Sequence, residues 1–204
     1  MGKLGFRIAN GIVHAGFWLS SLFLIVFWSR IPEEIVTHFN GDGAADGWGR
    51  KSSMILIVFV MVYIYAMHLI CMKVIQYLST REKMYGKKLA ACVTDEDFAD
   101  GILMTRAYLA WTDASLILMF DYIILCSALL RPLGGWFIWA VFLAIGGELV
   151  WYFACYLKKK RQIRVRMFAE LSAHEDEAEK TVDDMYDIIW FWNFTKNCWE
   201  NIGQ

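Results

Sequence analysis

Four long stretches of this sequence have almost no charged residues. They cover residues 12–29, 54–78, 111–130 and 136–157. About 20 apolar residues are enough to cross a bilayer as a helix, whereas buried helices of soluble proteins are seldom this long without charge. The apolar residues run continuously rather than alternating, which favours helices over a closed barrel. We therefore predict an all-α integral membrane protein, a four-helix bundle, rather than a soluble helical core.

Motifs for catalysis and for disulfide frameworks are also lacking. The sequence has no nucleophile paired with a base, no phosphate-binding loop and no H-E-x-x-H. We therefore expect no enzyme, no catalytic residue and no cofactor. Its five cysteines are scattered at positions 71, 92, 126, 155 and 198 without a C-x-x-C pair. This spacing does not imply a disulfide framework, and we expect free buried thiols.

Basic residues are concentrated in the segments on one side of the predicted helices. Thirteen lysines and arginines lie in the N-terminal lead, the link after the second span and the run 158–166, and four lie in the other two loops. Because loops rich in basic residues stay in the cytoplasm, we predict a multi-pass plasma-membrane protein with both termini cytoplasmic and an outward loop at 31–51. The run 158–166 is expected to bind lipid headgroups rather than nucleic acid.

The chain divides into four predicted segments. Residues 1–78 form a helix pair with the outward loop, 79–110 a cytoplasmic helical link, 111–157 a second transmembrane pair, and 158–204 a basic anchor and a cytoplasmic amphipathic tail helix. Thr94 followed by three acids is typical of a helix start, and we expect that helix to continue into the third span. The tail repeats apolar residues at helical spacing, so it is expected to lie on the membrane, the protein or a partner.

The loop 31–51 is the most polar and glycine-rich run between two apolar segments. Pro32 is expected to stop the first helix, and the glycines permit turns. In a structural interpretation, Asp42 and Asp46 cap or close local turns. The other polar and aromatic side chains would hydrogen-bond the loop backbone (Thr37, His38, Asn40) or seat the loop on the membrane interface (Phe39, Trp48).

Two functional interpretations of the same loop use its acidic residues. In the first, aromatic and acidic side chains form a docking face for an extracellular cationic peptide or a partner domain. In the second, His38, Asp42 and Asp46 coordinate a cation. Their spacing matches no standard zinc or calcium motif, so we expect no metal site.

The loop carries a spaced motif, P-x-x-x-x-T-H-F-N-x-x-G-x-x-D-x-W-G-x-K. Its side chains are the predicted partner-binding or ligand-binding residues: Pro32, Thr37, His38, Phe39, Asn40, Gly43, Asp46, Trp48 and Lys51. This pattern resembles the SdpI-type family of bacterial immunity and signalling membrane proteins. The resemblance implies a bacterial plasma-membrane protein linked to peptide immunity, signalling or stress response, without established catalysis. The R-T-P-W-T-like motif of the longer immunity proteins is lacking from this chain.

Five ionisable residues fall inside or at the edge of the predicted spans: His14, His68, Asp113, Asp121 and Glu148. Such residues are costly in a membrane and point to function or to a polar cluster that holds helices together. Asp113 and Asp121 are about 80° apart around a helix, so they need not share a partner. A structural histidine–carboxylate cluster and a proton or ion relay both remain open, and a metal site is a weaker alternative.

These observations give two function classes. The first is a non-enzymatic membrane protein that binds or senses an extracellular peptide, toxin or membrane-protein partner through the loop 31–51. The second is a small transporter, or an accessory subunit of a transporter complex, that uses the intramembrane histidines and acids. The expected partners are the lipid bilayer, the extracellular ligand and a cytoplasmic protein at the tail; an oligomer is compatible with either class.

Overall fold

The structure is a computed structural model that describes residues 3–173. Its elements are α1 (Lys3–Phe27), β1 (Glu34–Phe39), β2 (Ala45–Arg50), α2 (Met54–Leu78), α3 (Arg81–Tyr85), α4 (Lys87–Ala90), α5 (Asp95–Ala128) and α6 (Phe137–Ala173). Single turns of 3-10 helix, Trp28–Arg30 and Lys51–Ser53, flank the strands. The amphipathic tail helix was predicted mostly beyond residue 173, and that part lies outside the described residues.

Four of the helices are long and apolar enough to cross a membrane, so the chain is a multi-pass membrane protein. They are α1, α2, α5 and α6, and they confirm the four predicted spans. The bounds of α2 agree with the prediction, whereas α1 already begins at Lys3 and α6 continues through the basic run to Ala173. The cytoplasmic position of the termini stays a prediction.

The predicted helix start at Thr94 is confirmed. The Asp97 backbone N–H donates to Thr94 Oγ1 at 3.1 Å, and the Asp97 carboxylate accepts from the Thr94 backbone N–H at 3.3 Å, which is a reciprocal capping box. From this cap α5 runs without a break to Ala128. At 1.5 Å per residue it is about 50 Å long, so its first turns extend beyond a hydrocarbon core of about 30 Å.

The four-helix-bundle prediction implied an evenly closed bundle, but the long helices do not form one. α5 is central and packs against α1, α2 and α6, whereas α6 packs mainly on α5 and, near its C-terminal end, on α4. α1 reaches α5 closely because residue 16 is glycine: a Cβ there would lie 2.7 Å from Ile117 Cγ2. The core between α1, α2 and α5 includes Phe17, Met61 and Ile124.

The loop 31–51 is a β-hairpin, so the all-α prediction is wrong for this segment. β1 and β2 pair antiparallel, with Glu34 opposite Arg50 and Phe39 opposite Ala45. β-branched residues favour a strand here, and two of them, Ile35 and Val36, are buried. β1 packs on α5, and Ile35 joins the apolar core that continues between the helices.

The opposite end of the molecule has a second apolar cluster. We call it the base cluster; its buried members are Tyr85, Leu89, Val93, Ile163 and Met167. It joins α3 and α4 to the last turns of α6, and the Tyr156 hydroxyl donates to the Met84 carbonyl at 2.8 Å. The segments predicted separately as a helical link and a basic anchor therefore pack together here.

Candidate functional site

One asparagine shapes the turn of the hairpin. Asn40 Oδ1 accepts from the backbone N–H groups of Asp42 and Ala44 at 3.0 and 2.9 Å. The Asn40 backbone also bonds Ala44 and Gly43. These bonds make an Asx-type turn, so Asn40 has the role predicted for Asp42 and Asp46.

Gly43 fixes the tip of the hairpin against the turn between α5 and α6. Its φ is +74°, and a Cβ there would lie 2.5 Å from the Gly134 carbonyl oxygen. The Gly43 carbonyl accepts from the Leu133 N–H at 2.8 Å, and the Leu133 carbonyl accepts from the Tyr122 hydroxyl at 3.1 Å. Glycine is required at this position by both the backbone angle and the close approach.

Lys51 joins the two ends of the hairpin to each other. Its Nζ lies 2.6 Å from Glu33 Oε1 and 5.6 Å from the centre of the Trp28 ring. Its side chain is only 16% exposed, so the charge is largely covered by these two partners. Pro32 is exposed and follows the short turn that ends α1, in agreement with its predicted role as a helix stop.

The remaining polar motif residues are exposed. His38 Nδ1 lies 2.5 Å from Asp46 Oδ1, with the two side chains 71% and 43% exposed. This side-chain pair replaces the backbone contact predicted for His38. Trp48 is 52% exposed, and Thr37 is also exposed.

Two glycines of β2 make room for the side chains of β1. A Cβ at Gly47 would lie 2.7 Å from His38 Cβ, and one at Gly49 would lie 2.9 Å from Thr37 Cγ2. The prediction that these glycines only permit turns is therefore incomplete. They let β2 approach the side chains that the hairpin presents to solvent.

Unlike the exposed motif residues, Phe39 faces the rest of the protein. It is half-buried and lines a cavity of about 210 Å³ below the hairpin tip, together with Gly43, Leu133 and Phe137.

Within residues 3–173 no three His, Cys, Asp or Glu side chains lie close enough to hold a metal ion. The contacts of the described residues therefore do not support the alternative metal site at His38, Asp42 and Asp46.

A buried histidine joins three helices inside the membrane-spanning part. His68, on α2, is 1% exposed. Its Nδ1 lies 2.8 Å from Asp113 Oδ2 on α5, and its Nε2 lies 3.0 Å from Asn10 Oδ1 on α1. Both ring nitrogens of this buried side chain therefore have a hydrogen-bond partner on another helix.

The other intramembrane ionisable residues have separate partners. His14 Nδ1 lies 2.8 Å from the Tyr65 hydroxyl, and its ring is 6.0 Å from that of His68 between centroids. The contacts of the two remaining acids are Ser20 Oγ to Asp121 Oδ1 at 2.5 Å and Ser115 Oγ to Glu148 Oε1 at 2.6 Å. Asp113 and Asp121 have different partners, in agreement with the expectation that they need not share one.

Sequence reasoning missed the polar residues that complete these contacts. Asn10 and Tyr65 were not predicted, although Asn10 precedes His14 by one helical turn and so faces the same way. Ser20 and Ser115 gave no usable signal, because single serines are common in membrane-spanning helices.

At the opposite end, Asp97 binds two residues of the predicted lipid anchor. Arg166 Nη1 donates to Asp97 Oδ2 at 2.8 Å, and Lys159 Nζ lies 3.0 Å from both Asp97 Oδ1 and Asp100 Oδ2. Burial disfavours the charge of Asp97, but the hydrogen bonds from Arg166, Lys159 and Thr94 outweigh it and hold the pKa of this carboxyl well below its usual range. We call Asp97, Lys159 and Arg166 the base clamp; lipid binding remains open only for the rest of the basic run.

A family model described as "Domain of unknown function (DUF1648)" matches residues 15–62. The match spans the second half of α1, the whole hairpin and the first turns of α2, and the family is one of small membrane proteins. No curated protein and no solved structure matches the chain. The comparisons thus assign a domain type to the hairpin and its two flanking helices and support a membrane protein.

Proposed function

We propose that this is a non-enzymatic protein of the bacterial plasma membrane that binds a peptide or partner protein on the outer side through the hairpin 31–51. The observation that carries the proposal is that the motif residues have two different roles. Asn40, Gly43 and Lys51 hold the hairpin in place, whereas the side chains of His38 and Trp48 are exposed to solvent.

The backbone of the hairpin supports an extended peptide as the ligand. Among the described residues the sheet has two strands, so each strand has one edge without a strand neighbour. Such an edge presents unpaired N–H and C=O groups and accepts a further strand from another chain. A strand added along the hairpin would pass close to its exposed side chains.

The charge of the hairpin favours a cationic peptide. Residues 31–51 hold four acidic and two basic residues, and Lys51 is already paired with Glu33. Glu34, Asp42 and Asp46 are exposed. Complementary charge mainly raises the association rate and selects the partner, while Trp48 supplies the apolar anchor that is typical of binding surfaces.

The experiment measures binding of synthetic peptides to the full chain in nanodiscs. An alternating Lys–Val peptide should bind, a Glu–Val peptide should bind at least tenfold more weakly, and a Lys–Val peptide with N-methylated backbone should lose binding because it lacks the N–H donors. Equal binding of all three would overturn the proposal.

Matched variants test whether the exposed motif residues form the surface. His38→Ala and Trp48→Ala should each weaken the Lys–Val peptide severalfold, and Lys87→Ala, an exposed position at the opposite end, should not. A photocrosslinking amino acid at position 48 should capture the peptide, and one at position 87 should not.

The outward orientation has its own test. In a chain whose native cysteines are replaced by serine, Ala44→Cys should react with a membrane-impermeant maleimide on intact cells. Labelling that occurs only after lysis would place the hairpin in the cytoplasm and rule out an extracellular ligand. With the hairpin outside, the biological role that its motif resemblance implies is immunity to, or sensing of, a toxic peptide.

A transporter, or an accessory subunit of one, is the second candidate, and the Asn10–His68–Asp113 chain favours it. Buried titratable groups in hydrogen-bond series are the usual components of proton relays. Proton flux into liposomes should then depend on His68 and should be lost in His68→Gln. Unchanged or absent flux in both proteins would leave this cluster a structural one.

A further inference from the structure

A cavity of about 330 Å³ lies between the N-terminal third of α5 and the C-terminal half of α6. Its volume is at the lower end of the range of about 300–1,000 Å³ that is usual for small-molecule sites. Both helices contribute side chains to its wall, and these include Asp100, Leu103, Met104, Cys155, Lys158 and Gln162.

The wall of this cavity is apolar at one end and charged at the other. Because α5 and α6 are antiparallel, Met104 and Cys155 lie at the end nearer the hairpin, and Asp100 and Gln162 lie at the end farther from it. Lys158 is one helical turn from Gln162, so the two side chains share a face of α6. The cavity therefore suits a ligand with an apolar part and a charged part.

The charged end lies at the depth at which phospholipids carry their headgroups. Lys158 follows Phe137, the first residue of α6, by 21 residues, which is about 32 Å along the helix. Cys155 follows it by 18 residues, or about 27 Å. Since the hydrocarbon core is about 30 Å thick, Cys155 lies at its inner edge and Lys158 lies just beyond it.

The charged end offers a cation and an anion that are both accessible. Lys158 is exposed and has no ion pair within residues 3–173. Asp100 bonds Lys159 through Oδ2 at 3.0 Å, but its side chain is 57% exposed, and among the described residues Oδ1 has no donor. A positive and a negative group in one cavity are complementary to a zwitterion.

We propose that this cavity binds a phospholipid whose headgroup carries both a phosphate and a primary ammonium group, as in phosphatidylethanolamine. Lys158 and the Gln162 amide donate to the phosphate, and the ammonium group donates to the Asp100 carboxylate. The start of an acyl chain lies against Met104 and Cys155, where it covers apolar surface.

The headgroup amine distinguishes this site from the rest of the basic run. The other lysines and arginines of the run attract anionic lipids by charge alone. Phosphatidylcholine has no N–H to donate to Asp100, and phosphatidylglycerol has no cation to pair with it, so both are expected to bind more weakly in the cavity. The proposal does not rest on peptide binding by the hairpin or on the direction in which the chain is inserted.

The experiment measures lipid binding to the full chain in detergent by native mass spectrometry. Phosphatidylethanolamine, phosphatidylcholine and phosphatidylglycerol with the same acyl chains are offered in equal amounts. Phosphatidylethanolamine should bind about threefold more strongly than either competitor, in keeping with one charge pair that solvent partly screens. Equal binding of phosphatidylethanolamine and phosphatidylcholine, or a preference for phosphatidylglycerol, would overturn the proposal.

Variants of the chain test the two charged groups separately. Asp100→Asn should remove the preference for phosphatidylethanolamine over phosphatidylcholine, and persistence of the preference would overturn the proposal. Lys158→Gln should weaken binding of both lipids severalfold, whereas Arg161→Gln, at an exposed position of the same run that does not line the cavity, should not. If Asp100→Asn does not fold, this second pair still decides, because equal effects at positions 158 and 161 would assign binding to the basic run as a whole.

The native thiol of Cys155 locates the bound lipid. In a chain whose other four cysteines are replaced by alanine, adding phosphatidylethanolamine to phosphatidylcholine nanodiscs should slow the reaction of Cys155 with N-ethylmaleimide severalfold, and the same mole fraction of phosphatidylglycerol should not. The matched control combines Cys155→Ala with Ala154→Cys, an exposed neighbouring position that does not line the cavity. An unprotected Cys155, or equal protection at position 154, would overturn the proposal.

Discussion

α5 and α6 are both long and apolar, yet they occupy very different positions in the molecule. In the most apolar window of α5, 28% of residues are buried, whereas in that of α6 none is. α5 contacts the three other long helices, whereas α6 packs mainly on α5. Hydropathy therefore identifies helices that can enter a membrane, but it does not rank them by how much protein surrounds them.

Small residues and polar pairs account for the difference. α5 has buried Ala107, Ala110 and Ala114, and small side chains let membrane helices approach closely. Gly146 and Gly147 of α6 would seem to offer the same close approach, but a Cβ at either meets no atom within 4 Å in the described structure. Small residues thus mark a helix contact only where another helix faces them.

The largest expected effect distinguishes the His68–Asp113 pair in the core from the Ser115–Glu148 pair between α5 and α6. Asp113→Leu leaves one nitrogen of the buried His68 ring without a partner and should lower the free energy of unfolding by about 3 kcal/mol, the upper end of the range for an unpaired buried polar group. Glu148→Leu should cost about 1 kcal/mol or less, because one of its oxygens has no hydrogen-bond partner among the described residues and Ser115 can bond its own helix backbone. Reversible unfolding in mixed detergent micelles measures both, and equal losses would contradict the contrast.

A matched glycine pair gives the next effect. Gly16→Val should cost about 1–3 kcal/mol because its side chain meets Ile117 and the Asp121 carboxylate. Gly147→Val, on the open face of α6, should change the free energy of unfolding by about 0.5 kcal/mol or less. The same unfolding assay compares them. A large loss at Gly147 would indicate that another molecule packs on α6.

Disruption of the base clamp should have a somewhat smaller effect and should depend on pH. Arg166→Ala should cost about 1–2 kcal/mol, toward the lower end of the range for a hydrogen bond to a charged group, because the Arg166 side chain is 39% exposed and solvent screens the pair. Because the pKa of Asp97 is lowered in the folded state, its contribution is present above the unfolded pKa of about 4 and is lost as the pH falls below that value.

Asp97→Asn provides the control for that pH dependence. The variant should be less stable at neutral pH and should lose less stability than the wild type between about pH 4 and pH 2. Unfolding measured across this interval decides the point, and identical acid profiles would show that Asp97 does not contribute. Release of α6 from α4 can be followed as a drop in energy transfer between labels on the two helices.

The smallest stability effects are expected in the hairpin. Asn40→Ala should cost about 1 kcal/mol through loss of the two turn hydrogen bonds. Trp48→Ala should stay within about 0.5 kcal/mol because its side chain is half-exposed. Thermal unfolding compares the two. A marked loss of stability in Trp48→Ala would assign this residue to the fold rather than to binding.

Several elements could be predicted from local sequence because their causes are local. The four spans follow from uninterrupted apolar runs, and the start of α5 follows from Thr94 and the acids after it. The hairpin was missed because its motif contains many residues of low strand propensity, including four glycines. Two of those glycines are explained only by the strand opposite them, where Thr37 and His38 occupy the space of the missing Cβ atoms.

The candidate site divides in the same way. The motif identified which loop matters, but it gave equal weight to residues that hold the hairpin and residues that face solvent. Lys51 is covered by its contacts whereas Trp48 is exposed, and the motif does not distinguish these two cases. The basic run was correctly found and only partly interpreted, since Lys159 and Arg166 face Asp97, a residue more than sixty positions earlier in the chain.

The sequence by itself determined that the chain has four segments able to span a membrane. It also determined the residue at which α5 begins and the loop that carries a conspicuous motif. Only the tertiary structure decided that α5 is central, that His68 pairs with Asp113 and Asn10, and that a partly charged cavity lies between α5 and α6. The physical reason is that lipid is as apolar as the helices themselves, so hydrophobicity does not choose their neighbours. That choice depends on close packing and on polar pairs between residues far apart in the chain.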